Sequence, residues 1–139
     1  MQTQPTGAVM IVGGGISGIQ AALDLADSGF LVYLVEKTPA IGGAMGQLDK
    51  TFPTIDCSMC ILSPQLVATG RHPNIELVTF ANVEEVSGQA GSFRVRVRKR
   101  ARSIRLDHCT GCRACVDACP VMATTALPVA HDVNGGRLS

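Results

Sequence analysis

The chain opens with five apolar residues in a row, Ala8 to Val12, stopped by a glycine. A short unbroken apolar run bounded by a turn signal reads as a buried strand. Ile16, Ile19, Leu23 and Ala26 then recur at helical spacing across Ile16 to Ser28, and Gly29 is the stop signal. Phe30 to Val35 is a second buried strand, continuous enough for a parallel sheet covered on both faces. Strand, glycine turn, helix and strand with almost no spare residues make a βαβ unit.

The pattern loosens after Glu36. Residues Glu36 to Pro53 hold Gly42, Gly43 and Gly46 and predict a loop with short helical pieces. Cys57 to Gly70 predicts a helix, broken or started at Pro64. Ile75 to Phe80 is strand-like. Val83 to Gln89 and Phe93 to Lys99 flank Ala90-Gly91-Ser92 and predict a β-hairpin. In its second arm Phe93, Val95 and Val97 alternate with Arg94, Arg96 and Arg98, giving one apolar and one basic face. From about Ser103 the sequence becomes Cys-rich. The expected division is therefore 1–102, 103–126 and a tail at 127–139 with few structural signals, expected to be poorly ordered.

Composition narrows the options. The 139 residues are 46% hydrophobic but only 4% aromatic, so the core must rest on aliphatic side chains. A net charge of +1 gives no case for nucleic acid or an anionic membrane as the main partner. No apolar run reaches the ~18 residues that span a bilayer, and the N-terminus lacks the features of a signal peptide. The default compartment is the cytoplasm. There the six Cys are expected to be reduced, as metal or cluster ligands rather than disulfides.

Gly13-Gly14-Gly15-Ile16-Ser17-Gly18 fits G-x-G-x-x-G between the predicted strand and helix. The first glycine permits the tight turn, the second lets a pyrophosphate reach the backbone, and the third lets helix and sheet pack closely. The helix N-terminus presents free N–H groups and partial positive charge to the phosphates. Glu36 ends the second strand about 20 residues on, where a carboxylate accepts from ribose hydroxyls. The bland alternative is an ordinary glycine turn with a surface glutamate. Glu36-Lys37 followed by Gly42-Gly43 looks like the two-part signature of FAD-binding two-dinucleotide-fold flavoproteins, which favours FAD over NAD.

Cys109-Thr110-Gly111-Cys112-Arg113-Ala114-Cys115-Val116-Asp117-Ala118-Cys119-Pro120 is C-x2-C-x2-C-x3-C-P, the bacterial ferredoxin run. Structural zinc is disfavoured, because it usually pairs two separate C-x2-C knuckles. In two-cluster ferredoxins the fourth Cys serves the other cluster. Here no Cys follows Cys119, so it either completes a single [4Fe–4S] cluster with Cys109, Cys112 and Cys115 or waits for ligands from elsewhere. Cys57 and Cys60 form a further C-x2-C. This pair reads as cluster ligands, as a redox dithiol, or as two reduced thiols.

Other features favour bland readings. His72, His108 and His131 have no ligand-like spacing. Arg94, Arg96, Arg98, Lys99, Arg100, Arg102 and Arg105 read as a solvated face, with a docking surface for an acidic redox partner as the minority reading. There is no Ser–His–Asp constellation, P-loop or paired-carboxylate site.

The sequence from about Val9 to Val121 resembles the heterodisulfide reductase A family and its relatives, among them the corresponding component of quinone-interacting membrane-bound oxidoreductase. The resemblance runs through Gly13–Gly18, Val35-Glu36-Lys37, Gly42-Gly43, Gln47 to Pro53, Asp56-Cys57-Ser58-Met59-Cys60-Ile61-Leu62, Gly70 to Leu77 and the cysteine run. It implies an FAD and iron–sulfur oxidoreductase subunit that passes electrons between flavin and clusters. Its partners would be other subunits of the complex and redox carrier proteins. It also implies that Cys57 and Cys60 lie on the flavin side and ligate a cluster in the full assembly. Family members continue well beyond the first cysteine run, so strands that complete their flavin site have no counterpart here. Two alternatives follow: a non-catalytic electron-transfer or scaffold module with a cluster and no flavin, and an NAD-binding module. The expected fold is α/β, a Rossmann-like FAD/NAD(P)-binding βαβ unit with an appended ferredoxin-like iron–sulfur segment.

Overall fold

The computed structural model describes residues 7–118. Strand β1 (Ala8–Val12), helix α1 (Ile16–Asp27) and strand β2 (Leu31–Glu36) follow the pattern closely. Helix α1 ends in a Schellman motif: Gly29, at φ +90°, donates to the Ala26 carbonyl at 3.0 Å, and Phe30 donates to Leu25 at 3.1 Å. Glycine takes this left-handed position without a Cβ penalty.

Beyond β2 come a 3-10 turn (Gly43–Gln47), the two-residue strands β3 (Lys50–Thr51) and β4 (Asp56–Cys57), and helix α2 (Ser58–Arg71). Strand β5 (Ile75–Thr79) returns to the sheet, and β6 (Ala81–Gln89) and β7 (Ser92–Lys99) form the hairpin. The sheet order is β1-β2-β5 and both pairings are parallel.

Helix α2 departs from expectation. It runs unbroken through Pro64, with Cys57 as its N-cap. Proline withholds one donor from the preceding turn, but Leu62 and Leu66, one on each side, are held in the core cluster. Tertiary burial outweighs that local cost.

The core lies between the helices and one face of the sheet. Ile19, Ala22 and Ala26 of α1, Val32 and Leu34 of β2, and Leu62 of α2 form its buried centre. On the opposite face Val9, Tyr33, Val35 and Val78 meet the apolar side of the hairpin, Val86, Phe93, Val95 and Val97, across a cleft of about 920 Å³. On the polar side of the hairpin Arg96 pairs with Glu85 at 3.1 Å and Arg98 pairs with Glu84. Two arginines of the basic run are thus paired across the strands on a solvated face.

The chain divides into two compact units, Met1–Ala101 and Arg102–Ser139. In the second, the described residues form a 3-10 turn at Leu106–His108 and a four-residue helix α3 at Ala114–Asp117. The tail at 127–139, expected to be poorly ordered, lies outside the described residues. No helix among the described residues is long and apolar enough to cross a membrane.

Two core substitutions should move stability in opposite directions. Leu62 is fully buried, so Leu62→Ala should cost about 2–5 kcal/mol. Among the described residues the hydroxyl of buried Thr69 has no hydrogen-bond partner, so Thr69→Val should be neutral or stabilising by up to about 1 kcal/mol. Thermal melts of both variants check the pair.

Candidate functional site

The glycine turn after β1 is built by close approach. A Cβ on Gly18 would lie 1.9 Å from the Gly13 carbonyl oxygen, so only glycine lets α1 start here. Gly13 itself sits at φ +108° and donates to the Val35 carbonyl at 2.8 Å, which fixes the turn on β2. Gly15 is the N-cap, extended at φ −77°, ψ 179°. A Cβ there would meet nothing within 4 Å. Its backbone therefore faces open space, and no side chain caps α1. The helix starts with unpaired N–H groups and partial positive charge. Ile16 leans into the core, while Ser17 is exposed at the first turn.

Glu36 faces this turn from the end of β2. It is 7% exposed, and its Oε2 accepts from the Gly14 N–H at 2.6 Å. Oε1 accepts from the Thr38 N–H at 2.8 Å. The Thr38 hydroxyl lies 2.8 Å from Oε1 and 2.7 Å from the Ala40 carbonyl, its one proton shared between two acceptors. Burial pushes the Glu36 pKa up, but the N–H groups of Thr38 and Gly14, the Thr38 hydroxyl and the Lys37 charge together hold it below the ordinary value. Lys37 is exposed.

The second glycine pair wraps back onto the first. Gly42 donates to the Gly14 carbonyl at 2.7 Å. Gly43, at φ +56°, stacks so closely that a Cβ would lie 3.0 Å from the Gly15 Cα. Two glycine segments thus touch at Gly15. Leu62 of α2 backs the site of Gly42, where a Cβ would lie 3.5 Å from its Cδ2.

The structure brings Gly13–Gly18, Glu36 and Gly42–Gly43 together. Sequence reasoning missed Thr38 and Ile41. Thr38 locks Glu36, and Ile41 walls Gly14 so tightly that a Cβ there would lie 2.7 Å from its Cγ2. The polar residue two positions after Glu36 was the available signal for Thr38. These residues fit a dinucleotide: an uncapped helix start, an open glycine backbone for the pyrophosphate, and an ionised carboxylate at the second strand end.

In the second unit Cys109, Cys112 and Cys115 are free, exposed thiols. Gly111 turns the loop between the first two at φ +73°. The Cys112 pKa is lowered, first by the Ala114 N–H and then by the Thr110 hydroxyl, against an opposing desolvation, with a lesser lowering from its own N–H. An all-thiolate donor set of this kind is the chemistry an iron–sulfur cluster takes. Cys119 lies outside the described residues. Among the described residues no three His, Cys, Asp or Glu side chains come together as a metal site.

The expectation of six reduced thiols needs correction. Cys57 and Cys60 are joined by a disulfide. The start of α2 brings their Cα atoms to 5.2 Å, inside the ~4.4–6.8 Å that a disulfide needs. In that state neither sulfur is a thiolate ligand. His72 caps the end of α2, with Nδ1 accepting from the Asn74 N–H and Nε2 at 3.2 Å from Asp27, a structural tie.

The model of the FAD dependent oxidoreductase family matches residues 8–132. The chain belongs to that family. It is 60% identical over 112 residues to the A component of the H(2):CoB-CoM heterodisulfide,ferredoxin reductase of Methanothermobacter thermautotrophicus, covering 81% of this chain and 17% of that protein. It is 58% identical over 116 residues to an iron-sulfur component, also of the A type, of the CoB--CoM heterodisulfide reductase of Methanopyrus kandleri, covering 84% of this chain and 18% of that one. The chain thus spans about a sixth of the length of these relatives. Among solved structures it is similar to L-proline dehydrogenase from P. horikoshii, with TM-score 0.54, 26% identity, and coverage of 66% of this chain and 19% of that one. It shares a fold with bacillithiol disulfide reductase from Bacillus cereus, at TM-score 0.52, 22% identity, and coverage of 67% and 34%. The family match and the parallel sheet bear out the α/β, Rossmann-like expectation.

Glu36 sets an acid limit on this site. Its folded pKa is below the ordinary 4.5, so its stabilisation is complete above the unfolded value and is lost as pH falls through the folded one. Glu36→Gln should lower the melting temperature at pH 7 and flatten the loss between pH 5 and pH 3, by about 1–3 kcal/mol in total. Melting curves against pH for both forms test this.

Proposed function

We propose that this chain binds FAD through Gly13–Gly18, Glu36, Lys37 and Gly42–Gly43 and serves as an electron-transfer oxidoreductase subunit of the heterodisulfide reductase A type. The observation that carries the reading is Gly15, whose backbone faces open space while Gly43 closes on it from behind. The pyrophosphate would lie along Gly14 and Gly15, at the start of α1. Glu36 Oε2, which accepts from the Gly14 N–H, would keep its second lone pair for a ribose hydroxyl.

FAD supplies the electron chemistry when bound, so no side chain need act as acid or base. The chain's own task is to hold and orient the nucleotide. Cys109, Cys112, Cys115 and Cys119 would hold a [4Fe–4S] cluster in the second unit, and the iron-sulfur name of the Methanopyrus relative supports that assignment. Other subunits of such a complex and redox carrier proteins are the expected partners, and the chain is expected to work in the cytoplasm.

Anaerobic purification followed by flavin and iron analysis tests the reading. About one FAD and about four iron per chain are expected after reconstitution, on a single [4Fe–4S] assignment. Iron without flavin would favour the cluster-only module. Retention of NADH in place of FAD in parallel titrations would favour an NAD-binding module.

Two glycine substitutions separate fold from ligand. Gly18→Ala drives a methyl into the Gly13 carbonyl and should destabilise the fold by about 1–3 kcal/mol. Gly15→Ala meets nothing, so its melting temperature should stay near wild type while flavin affinity falls at least about tenfold, the ~1.4 kcal/mol of a blocked phosphate contact. Flavin fluorescence titration with a parallel melt checks both.

A further inference from the structure

We propose that Thr38 is a positioning residue of the nucleotide site: its N–H and hydroxyl grip Oε1 of Glu36 and so hold Oε2 against the glycine turn, where the ribose would be met. For its ligand this role rests on the FAD reading. The grip on Glu36 stands on contacts within the chain itself.

Thr38 lies two residues past the end of β2, outside both glycine segments, and is itself exposed. All of its polar groups are nevertheless engaged. The N–H donates to Glu36 Oε1 at 2.8 Å. The hydroxyl lies 2.8 Å from the same oxygen and 2.7 Å from the Ala40 carbonyl. The Thr38 carbonyl accepts from the Phe80 N–H at 2.9 Å. Phe80 sits at φ +59° between β5 and β6. A bulky residue keeps that left-handed conformation only where its surroundings fix it. Here the Phe80 carbonyl accepts from the Arg100 N–H at 2.8 Å, and the Arg100 guanidinium lies 5.4 Å from the Phe80 ring centroid. Thr38 is thus anchored from the hairpin side while both of its donors face Glu36.

The carboxylate is held unevenly as a result. Oε1 faces two donors of Thr38, whereas Oε2 accepts from the Gly14 N–H at 2.6 Å. The terminal torsion of a glutamate is broad, so a single hydrogen bond leaves the carboxylate plane free to turn. Anchoring the second oxygen fixes that plane. Thr38 also acts on the charge. Burial disfavours the ionised form, and the Thr38 N–H is the largest opposing contribution, ahead of the Gly14 N–H, the Thr38 hydroxyl and Lys37. Lys37 is the charged group among these. Gly14 and Ile41, packed against the site, and Thr79, beside Glu36 in the sheet, are uncharged. An ionised carboxylate is the stronger acceptor for a ribose hydroxyl.

The test uses the full chain with Thr38→Val, which keeps the backbone N–H and nearly the same shape but has no hydroxyl, and Thr38→Ser, which keeps the hydroxyl. Two readouts are taken. In the ligand-free chain, carboxyl NMR of isotope-labelled glutamate follows the titration of Glu36, its signal identified by its absence in Glu36→Gln. Thr38→Val should raise the Glu36 pKa, and Thr38→Ser should leave it at the wild-type value. With FAD as the probe, fluorescence titration should show affinity at pH 7 lowered about tenfold in Thr38→Val, the loss of one hydrogen bond to a charged group. The fall in affinity on acidification should begin at a higher pH in that variant, and Thr38→Ser should restore both. Wild type that binds FAD, with Thr38→Val unchanged in affinity and pH profile, overturns the positioning role and leaves the FAD reading standing. A loss that Thr38→Ser fails to restore marks a merely structural residue and also overturns it. Wild type that holds no FAD overturns the FAD reading, and the ribose role falls with it. A Glu36 titration that Thr38→Val does not move overturns the grip itself, with or without flavin.

Discussion

Helix α1 leaves β1 across so small a gap that the Gly13 carbonyl oxygen occupies the space a side chain at position 18 would need. That approach aims the first turn of α1 along the strand ends and holds its free N–H groups beside the sheet. Glu36 then secures the turn from the next strand, through the Gly14 N–H. Gly42 returns to the Gly14 carbonyl. One residue, Gly14, is therefore gripped from both sides by segments well separated in sequence. The rest of the first unit is arranged around that grip: β2 carries Glu36, and α2 packs behind Gly42.

The regular elements were legible because their causes are local. Continuous apolar runs gave β1 and β2 to within a residue, and Gly29 marked the end of α1 because a Schellman turn needs a left-handed residue there. The alternation of valine and arginine gave the hairpin, although not the register shift between Val83 and Glu85, which no sequence rule marks. Pro64 misled. Local chemistry argues for a break, but the burial of Leu62 and Leu66 is decided by contacts that a linear reading does not see.

The site was legible in part. Gly13 makes the tight turn and Gly18 the close helix–strand approach that their spacing implied. The contact between Gly43 and Gly15 is tertiary, and only the resemblance to flavoproteins placed the two segments together. Thr38 was missed because a threonine after a strand is ordinary until its neighbour is a buried carboxylate. The state of Cys57 and Cys60 was missed for another reason. Compartment was used to judge the cysteines, whereas the start of a helix at a C-x2-C decides whether two sulfurs can meet.

Sheet order has a practical side. Among the described residues β1 bonds to β2 along one edge and to no strand along the other. Its sequence is Ala-Val-Met-Ile-Val, with no lysine, proline or bulge to discourage a visitor. An edge of that kind is a template for any extended chain that comes near, whether a strand from the same polypeptide, one from a companion, or another copy in a concentrated solution. The first strand of the nucleotide fold thus presents, among the described residues, a sheet edge open to a further strand.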